Sequence, residues 1–453
     1  MLDGYWFSPF RRLVFEPLIS LKNGSPLRRY WKDLEKTQYL PEAVLMERQW
    51  QRLENLIRFA WENNAFYRAR FEIAGITPDM VQSPEDMRRI PVLTKEEIRQ
   101  NTLQMISRGY VLPELLQFKT GGSTGKALDI YITEDCSELR NACARRHDRW
   151  TGWEVGEPIA AVWGNPYLPS SIKDKLKNWL LTPFIYLDTM SVTEKSVRNF
   201  AVAWERVHPT LLFGHAHSLY LLAQYVRDLN ITNIKPRGIL STSMMLMPQE
   251  RKVIEEVFCT KVNDRYGCEE VSLIASECEK HEGMHLNIEH LYVEFLKEEG
   301  GYAAPGEPGK IVVTDLMNKA MPFIRYQVED VGVPSERKCS CGRGLPLMER
   351  VTGRVADFLI RSDGSKVAGV SLIENTLTKI PGIDQMQIVQ DRIDLITLLV
   401  VPGGDFTDFS QIQLQKYFES LFGKTVTVEI DLVSSIAPEP SGKYRFSICR
   451  ISN

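Results

Sequence analysis

The stretch Phe118-Lys119-Thr120-Gly121-Gly122-Ser123-Thr124-Gly125-Lys126 gathers three glycines, several hydroxyls and two lysines into one turn. Consecutive backbone N–H groups in such a turn form a concavity that holds phosphate oxygens. The pattern is not a Walker A loop, which needs Gly where Thr120 stands and Ser or Thr where Ala127 stands. Both flanks, LLQFK and ALDIYIT, read as strands, so the loop is predicted to close a hairpin instead of leading into a helix. A second chemistry sits further along the chain. Cys339 and Cys341 form a C-x-C in ERKCSCGRGLP, and Cys278 lies in SECEKHEGMH beside His281 and His285. Three thiolates and one imidazole make a Cys₃His set, which suits tetrahedral Zn²⁺ in a closed, structural site. The other cysteines, at 136, 143, 259, 268 and 449, are scattered among apolar neighbours and read as ordinary thiols.

These groups have to be positioned by regular elements. Residues 41–66 carry Leu45, Trp50, Leu53, Leu56, Ile57 and Ala60 at helical spacing, which predicts one long amphipathic helix. Thr94 followed by Glu97 is a capping-box signature for a short helix. From residue 157 extended runs (PIAAVWG, TLLFG, PRGILSTS, TKVNDRYG) alternate with helical stretches at 192–207, 218–229 and 247–258, the pattern of α/β layering. After His285 the text turns to strands, HLYVEFL and KIVVTDL, separated by Gly/Pro turns. A second unit begins near Asp357, with strands around 358–362, 384–390, 394–401 and 426–432 and helices at 371–379 and 408–422, which suits a small α+β domain. The expected fold class is therefore α/β. Residues 1–40 form a docking arm, 41–356 a large layered domain, and 357–453 a small lid domain.

A chain of 453 residues is long enough for two or three domains. With 55 Lys+Arg against 58 Asp+Glu its net charge is −3, which gives no bulk drive towards nucleic acid or anionic membrane, so an anionic substrate must be held by local groups. The opening MLDGYWFSPFRRLVFEPLISLKNG is interrupted by Arg11, Arg12, Glu16 and Pro17 and lacks the form of a signal peptide. No run of ~18 apolar residues occurs. The expectation is a cytoplasmic protein with no integral membrane segment. Residues 5–21 read as an arm packed on its own domain, with an interfacial helix as the alternative.

The glycine-rich loop resembles the ATP-phosphate loop of the adenylate-forming ligases, and four further segments resemble that superfamily's motifs in the same order. They are Tyr266-Gly267-x-x-Glu270, Pro322-Phe323-Ile324-Arg325-Tyr326 followed by Asp330, Gly353-Arg354-x-x-Asp357, and Gly442-Lys443-x-Arg445. FAWENNAFYRARFEIAGI, PVLTKEEIRQN and the C-x-C-G-R segment are similar to the phenylacetate-CoA ligase and capsule-biosynthesis ligase-like branch. The resemblance implies that Thr120, Gly121, Gly122, Ser123, Thr124, Gly125 and Lys126 grip the phosphates of ATP and that Glu270 binds Mg²⁺. It implies that Tyr266 lies along adenine, Asp330 holds the ribose hydroxyls, Arg354 reaches ribose or phosphate, and Asp357 is the hinge. Lys443 is the implied catalytic cation, bridging carboxylate and α-phosphate. His285, at a strand entry, is the implied fourth zinc ligand with Cys278, Cys339 and Cys341.

The function implied by this resemblance is activation of a carboxylic acid by ATP as an acyl-adenylate, then acyl transfer to CoA. The alternatives are transfer to a sugar or amine acceptor in polysaccharide biosynthesis, or a non-catalytic nucleotide-binding member. Met244, where the superfamily has Glu, and Glu329, where Gly is usual, depart from the pattern. Residues 163–165, 213–215 and 241–245 are candidate walls of the carboxylic-acid pocket, with His215 or His217 as a candidate substrate contact.

Overall fold

The computed structural model describes residues 7–119, 128–164, 171–181, 183–297, 300–352, 357–423, 425–436 and 445–451. The protein is mixed α/β, with a large N-terminal domain and a smaller C-terminal one. The large domain is organised on an eleven-stranded sheet. Half of it is parallel, in the spatial order Phe184–Asp188, Ile159–Trp163, Leu211–His215, Gly238–Thr242 and Val262–Cys268. The continuation through Ser272–Glu277, Met284–Leu286, Leu347–Thr352, Tyr326–Ser335, Gly309–Asp315 and Leu291–Leu296 is antiparallel throughout. The central parallel strands Ile159–Trp163, Leu211–His215 and Gly238–Thr242 are largely buried on both faces, as a covered parallel sheet requires. Helices Glu194–Val207, Ala216–Asp228 and Pro248–Phe258 supply the cover, packing Phe200, Trp204, Leu219, Leu222, Ile254 and Phe258 with the strand residues Val162, Leu212, Ile239 and Val262.

The long helix expected over 41–66 divides in two, Glu42–Asn63 and Ala65–Ile73. Asn64 is the reason: its backbone is extended (φ −127°, ψ 112°), and its side chain caps the second helix by accepting from the Tyr67 N–H at 3.1 Å. The capping box at Thr94 and Glu97 is present and opens helix Lys95–Asn101. The strands flanking the glycine-rich loop pair as an antiparallel hairpin, Leu116–Lys119 with Asp129–Ile132, ending on Lys119 opposite Asp129; the loop itself, 120–127, lies outside the described residues. Arm residues 27–37 form a helix that packs Leu34 on Leu139, Ala142 and Cys143 of helix Glu134–Trp150.

The small domain has a four-stranded sheet in the order Thr427–Leu432, Leu395–Pro402, Ile383–Arg392, Ser447–Cys449. Helices Gly369–Lys379 and Asp408–Phe422 contribute Leu372, Ile373, Leu414 and Phe418 to its core. Two short strands were not visible in the pattern, Lys366–Ala368 and Ser447–Cys449; at three residues each they carry no periodicity. Among the described residues no helix is long and apolar enough to cross a membrane.

Candidate active site

The parallel half of the sheet meets the antiparallel half at strand Val262–Cys268, and the Tyr-Gly-x-x-Glu segment occupies its carboxyl end. Open α/β sheets bind ligands at this end of their strands. The register of Val262–Cys268 against Ser272–Glu277 shifts between Tyr266 and Gly267. A side chain at 267 would place its Cβ 2.5 Å from the Ser272 carbonyl oxygen, so only Gly lets the two strands cross so closely. The bulge turns Tyr266 and Glu270 towards strand Tyr326–Ser335.

Two tyrosine–carboxylate hydrogen bonds then lock the two motifs together. The Tyr266 hydroxyl donates to Asp330 Oδ2 at 2.9 Å, and the Tyr326 hydroxyl donates to Glu270 Oε1 at 2.9 Å. Glu270 and Asp330 are both more than nine-tenths buried, at 5% and 8% exposed. Lys95 Nζ lies 4.0 Å from Glu270 Oε1. Its helix is fixed there by a bridge to the motif strand: the Leu93 N–H donates to the Arg325 carbonyl at 2.8 Å and the Gln327 N–H to the Leu93 carbonyl at 3.0 Å. Arg140 donates to the Glu270 carbonyl at 2.9 Å and to Asp315 Oδ2 at 2.8 Å. Lys95 and Arg140 were not singled out from sequence. For Lys95 a signal existed, because a cation in the first turn of a helix opposes the macrodipole and needs a carboxylate elsewhere.

Arg325 of the Pro-Phe-Ile-Arg-Tyr segment acts as a pin. It has φ +55°, and its Nε donates to Glu294 Oε2 at 3.0 Å while a second guanidinium nitrogen reaches the Arg88 carbonyl at 3.1 Å.

Beside these groups lies a pocket of about 190 Å³ lined by Met244, Asp264, Tyr266, Asp330 and Arg350 among others. Met244 thus occupies the wall where the superfamily pattern has Glu. Burial, reinforced by the neighbouring Glu277 charge, pushes the Asp264 carboxyl up to about 7 even though Arg251 opposes the shift. Arg251 itself clamps Glu277 with contacts of 3.0 and 2.9 Å. At the ends of the neighbouring strands, Trp163 stacks on Phe213 at 5.2 Å and meets His215 at a tilt, centroids 3.8 Å apart. His215 is fully buried, neither ring nitrogen has a hydrogen-bond partner among the described residues, and burial lowers it to about 3. His217 instead pairs with Glu250 at 2.6 Å.

Asp357 is tied into the small domain by every polar atom. Its Oδ1 accepts from Arg445 at 2.8 Å, its Oδ2 from the Cys449 N–H at 3.0 Å, its carbonyl from Ser447 Oγ at 2.7 Å and the Gly369 N–H at 3.1 Å, and its N–H donates to the Ser447 carbonyl at 3.2 Å. The Asp of the first small-domain motif therefore holds the Arg of the last. Thr120, Gly121, Gly122, Ser123, Thr124, Gly125, Lys126, Arg354 and Lys443 lie outside the described residues.

The cysteines and histidine converge as the residue types suggested. One ligand atom from each of Cys278, His285, Cys339 and Cys341 falls within 4.8 Å of all the others. Cys278 and Cys339 sulfurs are 3.6 Å apart, close to the ~3.8 Å edge of a tetrahedron with ~2.3 Å metal–sulfur bonds. His285 Nδ1 is 3.0 Å from the Leu345 carbonyl, which fixes the tautomer and leaves Nε2 facing Cys341 Sγ at 3.4 Å. Backbone N–H groups of Lys280 and Arg343 point at Cys278 and Cys341 sulfurs, each at 3.4 Å. Burial raises the Cys341 thiol, yet the His285 contact and the Arg343 N–H outweigh it and bring it down to about 6. His281 lies apart, facing Glu277.

The CapK C-terminal domain family matches residues 359–450. Protein CapK of Staphylococcus aureus is 23% identical over 429 residues, covering 94% of this chain and 93% of the relative. The phenylacetate-coenzyme A ligase of Escherichia coli (strain K12) is 26% identical over 324 residues, 69% of this chain and 71% of that one. The chain belongs to the adenylate-forming ligase superfamily. Its fold agrees with that of a solved superfamily structure, 2-hydroxyisobutyryl-CoA ligase in the thioesterification state, at a TM-score of 0.61 and 20% identity over 92% of this chain and 91% of that one. The same enzyme in an open conformation matches at 0.59. By fold and relatives this superfamily member is similar to CoA ligases.

Proposed function

We propose that the protein activates a carboxylic acid with ATP as its acyl-adenylate and then passes the acyl group to the thiol of CoA. The observation that supports this most is the interlock of Tyr266 with Asp330 and of Tyr326 with Glu270, at the sheet end where a nucleotide is expected. Asp330 has one oxygen committed to Tyr266 and offers the other to a ribose hydroxyl, while the Tyr266 ring lends stacking area to adenine. Glu270, a buried carboxylate that accepts from the Tyr326 hydroxyl and lies 4.0 Å from Lys95, would be the ligand of a divalent cation, and Mg²⁺ bound with ATP would neutralise charge on the departing pyrophosphate. The 120–126 loop would hold the outer phosphates through its N–H groups and Lys126. Lys443 would bring a point charge between the carboxylate and the α-phosphate, two anions that repel until one cation serves both. Arg354 would reach the ribose or phosphate from the stretch before Asp357, where the small domain turns to admit the acceptor.

The Cys278, His285, Cys339 and Cys341 set is proposed to hold a structural Zn²⁺, since its four donors leave no open coordination position. A second reading, a sugar or amine acceptor in place of CoA, is favoured by the match of the small domain, the part that would meet the acceptor, to the CapK C-terminal domain. Pyrophosphate release measured across a panel of carboxylic acids tests the first half-reaction. Adding CoA and weighing the product separates the two acceptors: a thioester supports CoA, and an adenylate that persists until an amine or sugar is supplied supports the second reading.

A further inference from the structure

Residues 8–22 make one helical run, Ser8–Phe10, a wide turn at Arg11–Phe15, and Glu16–Lys22. A helix on the surface of a globular protein ordinarily buries its apolar stripe and leaves its charges in water. This one is turned the other way. Phe10, Leu13, Leu18 and Leu21 are 46%, 67%, 57% and 80% exposed. The charged residues are the anchors. Arg11, 1% exposed, donates to the Trp179 carbonyl at 3.0 Å and the Gly156 carbonyl at 3.2 Å. Arg12 pairs with Glu154 at 3.2 Å, and Glu16 pairs with Arg145 and, at 3.9 Å, with Arg28. The seat is shaped for the helix: a Cβ on Gly156 would lie 2.8 Å from the Ser8 carbonyl oxygen and 2.9 Å from the Arg11 Cβ. The apolar face continues onto helix Ile172–Leu181, where Leu176 is 53% and Trp179 38% exposed, and Phe7 stacks on Trp179 at 5.0 Å.

We propose that this face docks the protein on a membrane surface carrying anionic lipid. Charge selects the occupant. In the described arm the exposed charges are Lys22, Arg29, Lys32 and Lys36 against Asp33, a local +3 in a chain whose net charge is −3. A cationic surface of this kind is attracted by the negative surface potential of a leaflet rich in acidic lipid, and an apolar stripe with Trp and Phe beside cations is what an interfacial helix inserts. A second copy of the chain would have to bring the same positive patch against itself. Fifteen helical residues span ~22 Å, less than the ~30 Å hydrocarbon core, so the helix lies in the interface plane and does not cross. The docking does not depend on the ligase reading.

Co-sedimentation of the full chain with vesicles tests it, using phosphatidylcholine alone or with roughly one-third phosphatidylglycerol. Binding to the anionic vesicles is expected to exceed that to the neutral ones about tenfold or more, and to fall steeply between about 0.1 M and 0.5 M salt as charge is screened. Leu13→Ser/Leu18→Ser/Leu21→Ser should lose about tenfold or more of the binding, since three exposed leucines no longer insert. These positions are exposed, so the fold should survive, which the melting curve checks. Lys22→Glu/Arg29→Glu keeps the stripe intact and should weaken binding to anionic vesicles only. Failure of the wild type to sediment with either vesicle overturns the proposal, as does undiminished binding by the leucine variant. A concentration-dependent dimer that the leucine variant abolishes, without vesicle binding, assigns the face to a second copy and likewise overturns it.

Discussion

Changing Tyr326 to Phe removes one oxygen from a side chain that is fully buried. The ring keeps its packing against Phe323, centroids 5.3 Å apart, and the 2.9 Å hydrogen bond to Glu270 is lost. A hydrogen bond to a charged group contributes ~1.5–3 kcal/mol, and ~1.4 kcal/mol corresponds to a factor of ten. If this bond holds Glu270 in the orientation that adenylation uses, Tyr326→Phe lowers kcat for pyrophosphate release by about 10- to 150-fold, with Glu270 swinging towards Lys95, the cation 4.0 Å away. The comparison variant is Tyr266→Phe, which releases Asp330 and should act mainly on the KM for ATP, because Asp330 is assigned to ground-state binding of the ribose. Steady-state pyrophosphate release over a range of ATP concentrations measures both. A Tyr326→Phe enzyme with wild-type kcat would refute the idea that the interlock positions Glu270 for chemistry.

Three further outcomes are expected. Lys443→Ala should lower adenylation about a hundredfold or more with an unchanged melting curve, from the loss of one charge-assisted contact worth ~2.7–4 kcal/mol at comparable sites; wild-type pyrophosphate release would remove Lys443 from the reaction. Elemental analysis should find about one zinc per chain, and Cys339→Ser or a strong chelator should lower the melting temperature, because metal bound only by the folded state adds to its stability; a zinc-free protein of equal stability contradicts the assignment. Asp264 has a folded pKa near 7, above its unfolded value, so its contribution to stability is present at low pH and is lost as pH rises towards and through 7. Asp264→Asn should therefore gain melting temperature over the wild type at pH 8 and little or nothing at pH 4; a difference independent of pH would show that Asp264 is not held protonated.

The parts of the site that were legible are those carried by local sequence. Tyr266 and Glu270 stand four apart around a glycine that the backbone crossing demands, and Asp330 lies four residues beyond Tyr326, so short motifs named them. Their partnership was not legible, since the hydrogen bonds run between strands whose register is set by the whole sheet. Lys95 appeared only as the first residue of a capped helix, and nothing local says that Leu93 bridges to the motif strand. Asn64 hid inside a continuous helical periodicity because a polar residue at that phase is ordinary until its backbone turns extended. The cysteines and His285 were readable by residue type, while the tautomer set by Leu345 was not. The arm is the clearest limit: residues 5–21 read either as a packed arm or as an interfacial helix, and which side faces the protein is decided by Gly156 and Trp179, more than a hundred residues away.

The central claim is that this chain makes an acyl-adenylate, and isotope exchange between labelled pyrophosphate and ATP reads that step without any acceptor. For at least one carboxylic acid of the panel, label should enter ATP in an acid-dependent manner, and Lys443→Ala should abolish the exchange while still binding ATP. A protein that binds ATP tightly yet supports no exchange with any acid of the panel would contradict the account and leave a nucleotide-binding protein on the ligase fold.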